Sequence, residues 1–173
     1  MKKIIITGGS GFIGSNLVDF FIKKKFFVIN IDKLTYSSNK YKNKLRNNKN
    51  YKLIKLDIVK KEKIKKIILK YKPRAIFNLA AETHVDRSID RPEKFINSNI
   101  YGTYSLLECL RFLKKKKVSP KLIHISTDEV FGDISNRKRS NEDDKYKPSS
   151  PYSASKASAD HLVQAYIRTY KIN

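Results

Sequence analysis

The chain has 173 residues and a formal net charge of +22, with one cysteine, Cys109. That length builds one domain with a real core, the ordinary 40% apolar share argues against disorder, and a lone cysteine excludes an internal disulfide framework or a cysteine-built zinc site. The charge is nearly all lysine, scattered among apolar residues and asparagines, which points to solvated faces and away from a nucleic-acid or membrane surface.

The N-terminal run Met1–Gly8 is basic and then briefly apolar, too short for the core of a signal peptide, and glycines follow at once. No stretch approaches the roughly 18 apolar residues of a membrane span, so a cytoplasmic protein is expected. Lys3 to Thr7 reads as a buried strand, its Ile4-Ile5-Ile6 apolar on both faces. Phe12 to Lys24 reads as a helix with Ile13, Leu17, Phe20 and Phe21 on one stripe. Phe26 to Asp32 is a second strand, followed by a polar loop to about Asn50, and Tyr51 to Asp57 a third. Ile64, Ile67, Ile68 and Tyr71 give Lys60 to Tyr71 helical spacing with lysines opposite, and Pro73 stops it. Arg74 to Ala80 is strand four. A polar loop to Pro92, a long helix over about 93–116 and a fifth strand over Lys121 to Thr127 come next. Residues 133–150 are loop-like, and Pro151 opens a last helix to about Tyr170. Short apolar runs alternating with longer periodic ones predict an α/β fold: a Rossmann-type doubly wound parallel sheet in three αβα layers. With no sixth strand, the sheet is expected to be incomplete at the C-terminus. Residues 1–173 are expected to form one dinucleotide-binding domain without a C-terminal substrate domain.

Thr7-Gly8-Gly9-Ser10-Gly11-Phe12-Ile13-Gly14 lies between the first strand and the first helix. Gly8 suits the tight turn, Gly11 a close backbone approach to a pyrophosphate, and Gly14 close packing of helix on strand. The helix N-terminus then offers free N–H groups to the phosphates. Asp32 ends strand two, 18 residues after Gly14, where a carboxylate accepts ribose hydroxyls and repels a 2′-phosphate. NAD is therefore expected rather than NADP. A loop carboxylate that merely caps the strand is the plainer alternative.

Two further features fall at the C-terminal edge of the expected sheet, where such folds bind ligands. One is Ser126-Thr127-Asp128-Glu129, just past strand five; adjacent acids of different reach can serve as separate acid and base. The other is Tyr152 and Lys156, at i and i+4 on the last helix, so phenol and ammonium share a face. The ammonium is expected to lower the phenol pKa enough for tyrosinate to act as base. With ten tyrosines and abundant lysine such a pair arises by chance, so its weight comes from its place behind the glycine turn. Among the histidines, His124 reads as core, His161 as a helix-face residue and His84 as a loop residue near the site. They lack metal-ligand spacing, so no metal is expected. Cys109 reads as a small core hydrophobe.

These segments resemble the extended short-chain dehydrogenase/reductases of the NAD-dependent epimerase/dehydratase family, and within it the dTDP-glucose 4,6-dehydratases. The resemblance runs through Thr7 to Asn16, Asp32 to Tyr36, Leu79 to Ser88, Asn99 with Gly102-Thr103, His124 to Gly132 and Pro148 to Ser158, covering essentially the whole chain. Thr127-Asp128-Glu129 is the specific element, since 4-epimerases of the superfamily lack an Asp-Glu pair there. The resemblance implies a lyase that converts dTDP-glucose to a 4-keto-6-deoxy sugar nucleotide in deoxysugar biosynthesis. It implies that Tyr152 is the base at the 4-hydroxyl, Thr127 holds that hydroxyl, Glu129 takes the C5 proton, Asp128 protonates the leaving 6-hydroxyl, and Lys156 holds the nicotinamide ribose. Lys33, Leu34, Thr35, Asp57, Ile58, Leu79, Ala80, Ala81, Thr83 and Ser98 are implied to line the cofactor with Phe12 and Ile13, Thr83 also lying near the sugar. It implies a homodimer through the helix near 93–116 and the Tyr152 helix. Ser37-Ser38 replaces a common Ala-Gly, Phe131 a common tyrosine, and the loop over 133–147 is shortened. Another nucleotide-sugar epimerase or decarboxylase, or a basic binding module without catalysis, are the alternative readings.

Overall fold

A computed structural model describes residues 1–38, 45, 47–133 and 139–173. Parts of the polar loops expected over 33–50 and 133–147 lie outside the described residues. Five strands, β1 (Lys3–Thr7), β2 (Phe27–Asp32), β3 (Tyr51–Lys55), β4 (Ala75–Asn78) and β5 (Lys121–His124), form one parallel sheet in the order β3-β2-β1-β4-β5. The chain winds outward from β1 to β3, then crosses back to place β4 on the other side of β1. The strand order reverses between β1 and β4, and a ligand crevice belongs at the carboxyl ends there.

Alternation within β1 builds the layers. Ile4 and Ile6 join Val28 and Val18 of helix α1 (Phe12–Lys23) on one face, with Leu17, Phe21 and Phe77 around them. Ile5 joins Ile29, Ile31 and Ile76 on the other, under α2 (Lys61–Tyr71) through Ile64 and Ile68 and under α5 (Gly102–Lys115) through Leu106, Leu107 and Leu110. Successive strand side chains point to opposite faces, so a run of isoleucines feeds both layers at once. Leu162, Val163 and Tyr166 of the last helix, α6 (Pro151–Tyr170), pack against this second cluster. The three-layer αβα arrangement is as expected.

Three differences from the expected elements matter. The buried face of α1 is Gly14, Ser15 and Val18 with Leu17, Phe21 and Ile22 beside it, while Ile13 and Phe20 are 61% and 52% exposed. Ile13 stands in the first turn, above the end of the sheet, and cannot reach the layer below. The loop before Pro92 contains a short helix, α3 (Val85–Asp90), stopped at Arg91 by the following proline. The helix expected over 93–116 is three pieces: α4 (Pro92–Phe95), a π-helical stretch over Ile96–Tyr101, and α5. The widened turn brings Ser98 and Asn99 inward together, and Asn99 then ties Glu82 N–H and C=O to the Ser155 hydroxyl. Gly102 follows the wide turn, where a Cβ would lie 2.5 Å from Ile58 Cδ1.

Candidate active site

The glycine turn leaves β1 with Gly8 at φ +69, donating its N–H to Ile31 O at 2.9 Å. A Cβ at Gly8 would lie 2.7 Å from Ala80 N, and one at Gly14 2.2 Å from Gly8 O. Gly11 differs: a Cβ there would meet only Gly8 O, at 3.4 Å, with open space beyond. Packing thus requires Gly8 and Gly14, while Gly11 keeps a surface low. Above it the N-terminus of α1 has no side-chain cap and no acid in its first turn, so its orphan N–H groups and positive dipole end face outward. Asp32, 8% exposed, accepts from Ser10 N–H at 2.9 Å and from Leu34 N–H at 2.7 Å. A carboxylate has about four lone-pair positions, so two remain for hydroxyl donors. A low glycine surface, free N–H groups and a fixed carboxylate together fit a dinucleotide.

A cavity of about 570 Å³ opens over the carboxyl ends of the strands. Of the residues singled out in the sequence, Gly8, Gly11, Phe12, Ile13, Gly14, Asp32, Lys33, Thr35, Asp57, Ile58, Leu79, Ala80, Ala81, Thr83, Ser98, Thr127, Asp128, Tyr152 and Lys156 line it. Leu34 and Glu129 do not. Leu34 turns away at φ +63 with its N–H on Asp32. Glu129 belongs to a 3-10 turn over Asp128–Phe131, and its N–H donates to Thr127 Oγ1 at 3.3 Å. The wall also takes Ser126 of the Ser126–Glu129 segment, His84, expected near the site, and Ser37 and Ser38 of the loop after β2, together with Ile31, Leu56 and Ile125, which the sequence did not point to. Ile31, Leu56 and Ile125 lie at strand ends, a position that would have marked them. The Lys33 ammonium is already engaged, 3.0 Å from Glu82 Oε1 and 3.0 Å from Ser98 Oγ.

Helix α6 carries the other wall. Ser150 and Ser153 form a reciprocal cap at its start, with Pro151 in the first turn. Tyr152 N–H donates to Ser88 Oγ of α3 at 3.1 Å, and the ring meets Phe95 edge-on at 6.3 Å, so two short helices fix where the phenol stands. Lys156 donates to Ile125 O at 2.5 Å. Burial pushes the Tyr152 phenol above its ordinary value, Thr127 pulls the other way, and Glu129 and Asp128 add to the rise. Burial likewise pushes Lys156 down, with Asp160 opposing. The expected lowering of Tyr152 by Lys156 is therefore corrected. In this state the ammonium is turned onto a carbonyl, and burial and two nearby acids govern the phenol.

Cys109 is buried, donates to Lys61 O at 3.2 Å, and is pushed up to about 12 by burial, as suits a core position. His84 lines the cavity against Tyr36, with 6.0 Å between ring centroids. No helix among the described residues is long and apolar enough to cross a membrane.

A parallel sheet of this order, with a glycine turn at its switch point, belongs to the Rossmann-type α/β class. The sequence model of the family described as GDP-mannose 4,6 dehydratase matches residues 5–173, and the chain belongs to that family. It is 49% identical to the dTDP-glucose 4,6-dehydratase of Haemophilus influenzae over 98% of this chain and 53% of that one. Among solved structures it resembles the dTDP-glucose 4,6-dehydratase of Bacillus anthracis in complex with NAD, with TM-score 0.85, 38% identity and coverage of 99% and 52%. It also resembles that of Streptomyces venezuelae with NAD and TYD bound, with TM-score 0.89, 34% identity and coverage of 98% and 53%. The chain spans about half the length of these relatives.

Proposed function

We propose that residues 1–173 are the NAD-binding half of a dTDP-glucose 4,6-dehydratase. The observation that carries this is one cavity at the switch point, walled both by the glycine turn and Asp32 and by Thr127, Asp128, Tyr152 and Lys156. NAD, when bound, would supply the hydride-transfer chemistry at C4 and C6 of the hexose. The chain's own residues handle protons. Tyr152 takes the 4-hydroxyl proton while Thr127 holds that oxygen. The resulting 4-ketone acidifies C5–H, Glu129 removes that proton, and Asp128 protonates the 6-hydroxyl, which leaves as water. Glu129 later returns a proton to C5. Glu129 stands just outside the cavity, on the same short turn as Asp128, and its charge reaches Tyr152. Lys156 and Asp32 would hold the two riboses of NAD.

A homodimer through α5 and α6 belongs to the same proposal. Tyr104, Phe112, Ile167 and Tyr170 on these helices, and Tyr101 just before α5, are exposed, apolar groups that a second copy would cover. So does a cytoplasmic location, where NAD and nucleotide sugars are both supplied.

The test is a chimera in which this chain is joined to the second half of the Haemophilus influenzae relative and assayed with dTDP-glucose. Turnover to a 4-keto-6-deoxy product is expected, with a C4 deuterium delivered to C6, and with Tyr152→Phe lowering kcat by a factor of a hundred or more on the scale of positioned acid–base groups. A folded chimera that binds NAD but turns over nothing would discard the reading.

A further inference from the structure

Behind the cavity wall lies a polar cluster that the mechanism above does not use. Asp160 follows Lys156 by one turn of α6, and both are buried, at 7% and 6% exposure. The Asp160 carboxylate gathers polar groups from three other places in the fold. Ser126 Oγ, just after β5, donates to Oδ2, and Tyr146 OH, in the loop before α6, donates to the same oxygen at 3.1 Å. His124 Nε2, at the end of β5, lies 3.3 Å from Oδ1. The Tyr146 ring is itself clamped between Phe131 and His161, at 5.3 and 5.2 Å between centroids. His124 Nδ1 continues the chain of contacts to Asn78 at 3.0 Å, and Asn78 to Thr7 at 2.6 Å. Meanwhile Lys156 holds the carbonyl of Ile125, the residue between His124 and Ser126. Three consecutive residues of the β5 end are thus fixed to two residues one turn apart on α6.

We propose that Asp160 is a positioning residue for the site, its fixed carboxylate serving as the counter-charge that keeps the Lys156 ammonium in the cavity wall. A buried ammonium without a partner gives up its proton or its place. The carbonyl of Ile125 supplies a hydrogen bond but no charge. Asp128 and Tyr152 share the cavity with Lys156, while Asp160 stands at i+4 from it on the same buried side of α6, where its charge favours the protonated form without a direct ion pair. Asp160, held by Ser126 and Tyr146 and faced by His124, therefore acts on NAD through Lys156, without touching it. This rests on the NAD-binding reading for its consequence, though not for its first measurement.

That measurement is the titration of the Lys156 ε-carbon resonance in lysine-labelled chain, assigned with Lys156→Arg, from about pH 7 to about pH 11. Asp160→Asn should move the midpoint down, because removing an opposite charge disfavours the ammonium. Asp160→Ser, smaller and still able to accept from its neighbours, should do the same, and Asp160→Glu should restore it. NAD affinity by calorimetry should match the parent chain at the low end of the range and fail at a lower pH in Asn and Ser variants, because their ammonium is lost sooner as pH rises. A folded variant with an unmoved midpoint, or an affinity loss equal at every pH, overturns the proposal. So does finding both neutral variants unfolded, which assigns the carboxylate to the fold alone. A parent chain that binds no NAD defeats the functional reading, while the lysine titration still decides the role of Asp160.

Discussion

At Gly11 the space for a side chain belongs to the ligand rather than to the protein. A Cβ at Gly8 or Gly14 strikes backbone, whereas at Gly11 it points into open cavity. Gly11→Val should therefore fold, with a melting temperature close to the parent, and lose NAD binding in calorimetry. Gly14→Ala should instead lower the melting temperature, since β1 and α1 must part to admit it. Asp160 gives a pH prediction of definite sign. Burial raises its pKa, but hydrogen bonds from His124 and Ser126, the charge of His124 and Tyr146 outweigh this, and the carboxyl sits below its ordinary value. Its ionised form is thus favoured in the folded chain. The contribution is complete above the unfolded value of about 3.9 and is lost as pH falls through the lower folded one. Asp160→Asn should remove that part of the acid loss of stability, seen as a flatter melting temperature between about pH 4 and about pH 2. The glycine turn, Asp32 and the Tyr152–Lys156 pair were legible because each has a fixed offset from a strand or helix end. Asp160 was not, since its partners lie 14, 34 and 36 residues away and only the fold unites them.

The elements most legible in the sequence were those with one period throughout. The limits of β1 and α6 fall where the residues suggest, at Lys3–Thr7 and Pro151–Tyr170, since a buried isoleucine run and a proline-led capping box leave little freedom. The break over Ile96–Tyr101 was not legible, because a π-helical turn costs only one extra residue and leaves the helical pattern on either side intact. Its consequence is testable at Gly102. A methyl group there must displace Ile58, which lines the cavity, so Gly102→Ala should cost about 1–3 kcal/mol in denaturant unfolding and weaken NAD binding with it. The stripe assigned to α1 erred at Ile13 and Phe20 for a related reason. Periodicity gives the width of an apolar face, and the neighbouring layer decides which edge of it is covered.

Across the whole molecule the +22 charge is a surface property laid over a conventional interior. Among the described residues Lys156 is the one buried lysine, and α2 keeps Lys61, Lys63 and Lys66 off its Ile64–Ile68 side. Like charges at this density repel, so added sodium chloride should raise the melting temperature by screening before any other salt effect sets in. The parallel sheet, its order and its switch point follow from strand and helix alternation, and they alone bring residues from Gly8 to Lys156 around one cavity. The central claim is that this cavity is a dinucleotide site complete enough to work within residues 1–173. The most direct test is calorimetric titration of the purified chain with NAD, beside Gly11→Val. The account predicts saturable one-to-one binding by the parent and none by the folded variant. A parent chain that is folded by circular dichroism and takes up no NAD, or a variant that binds as well as the parent, would contradict it.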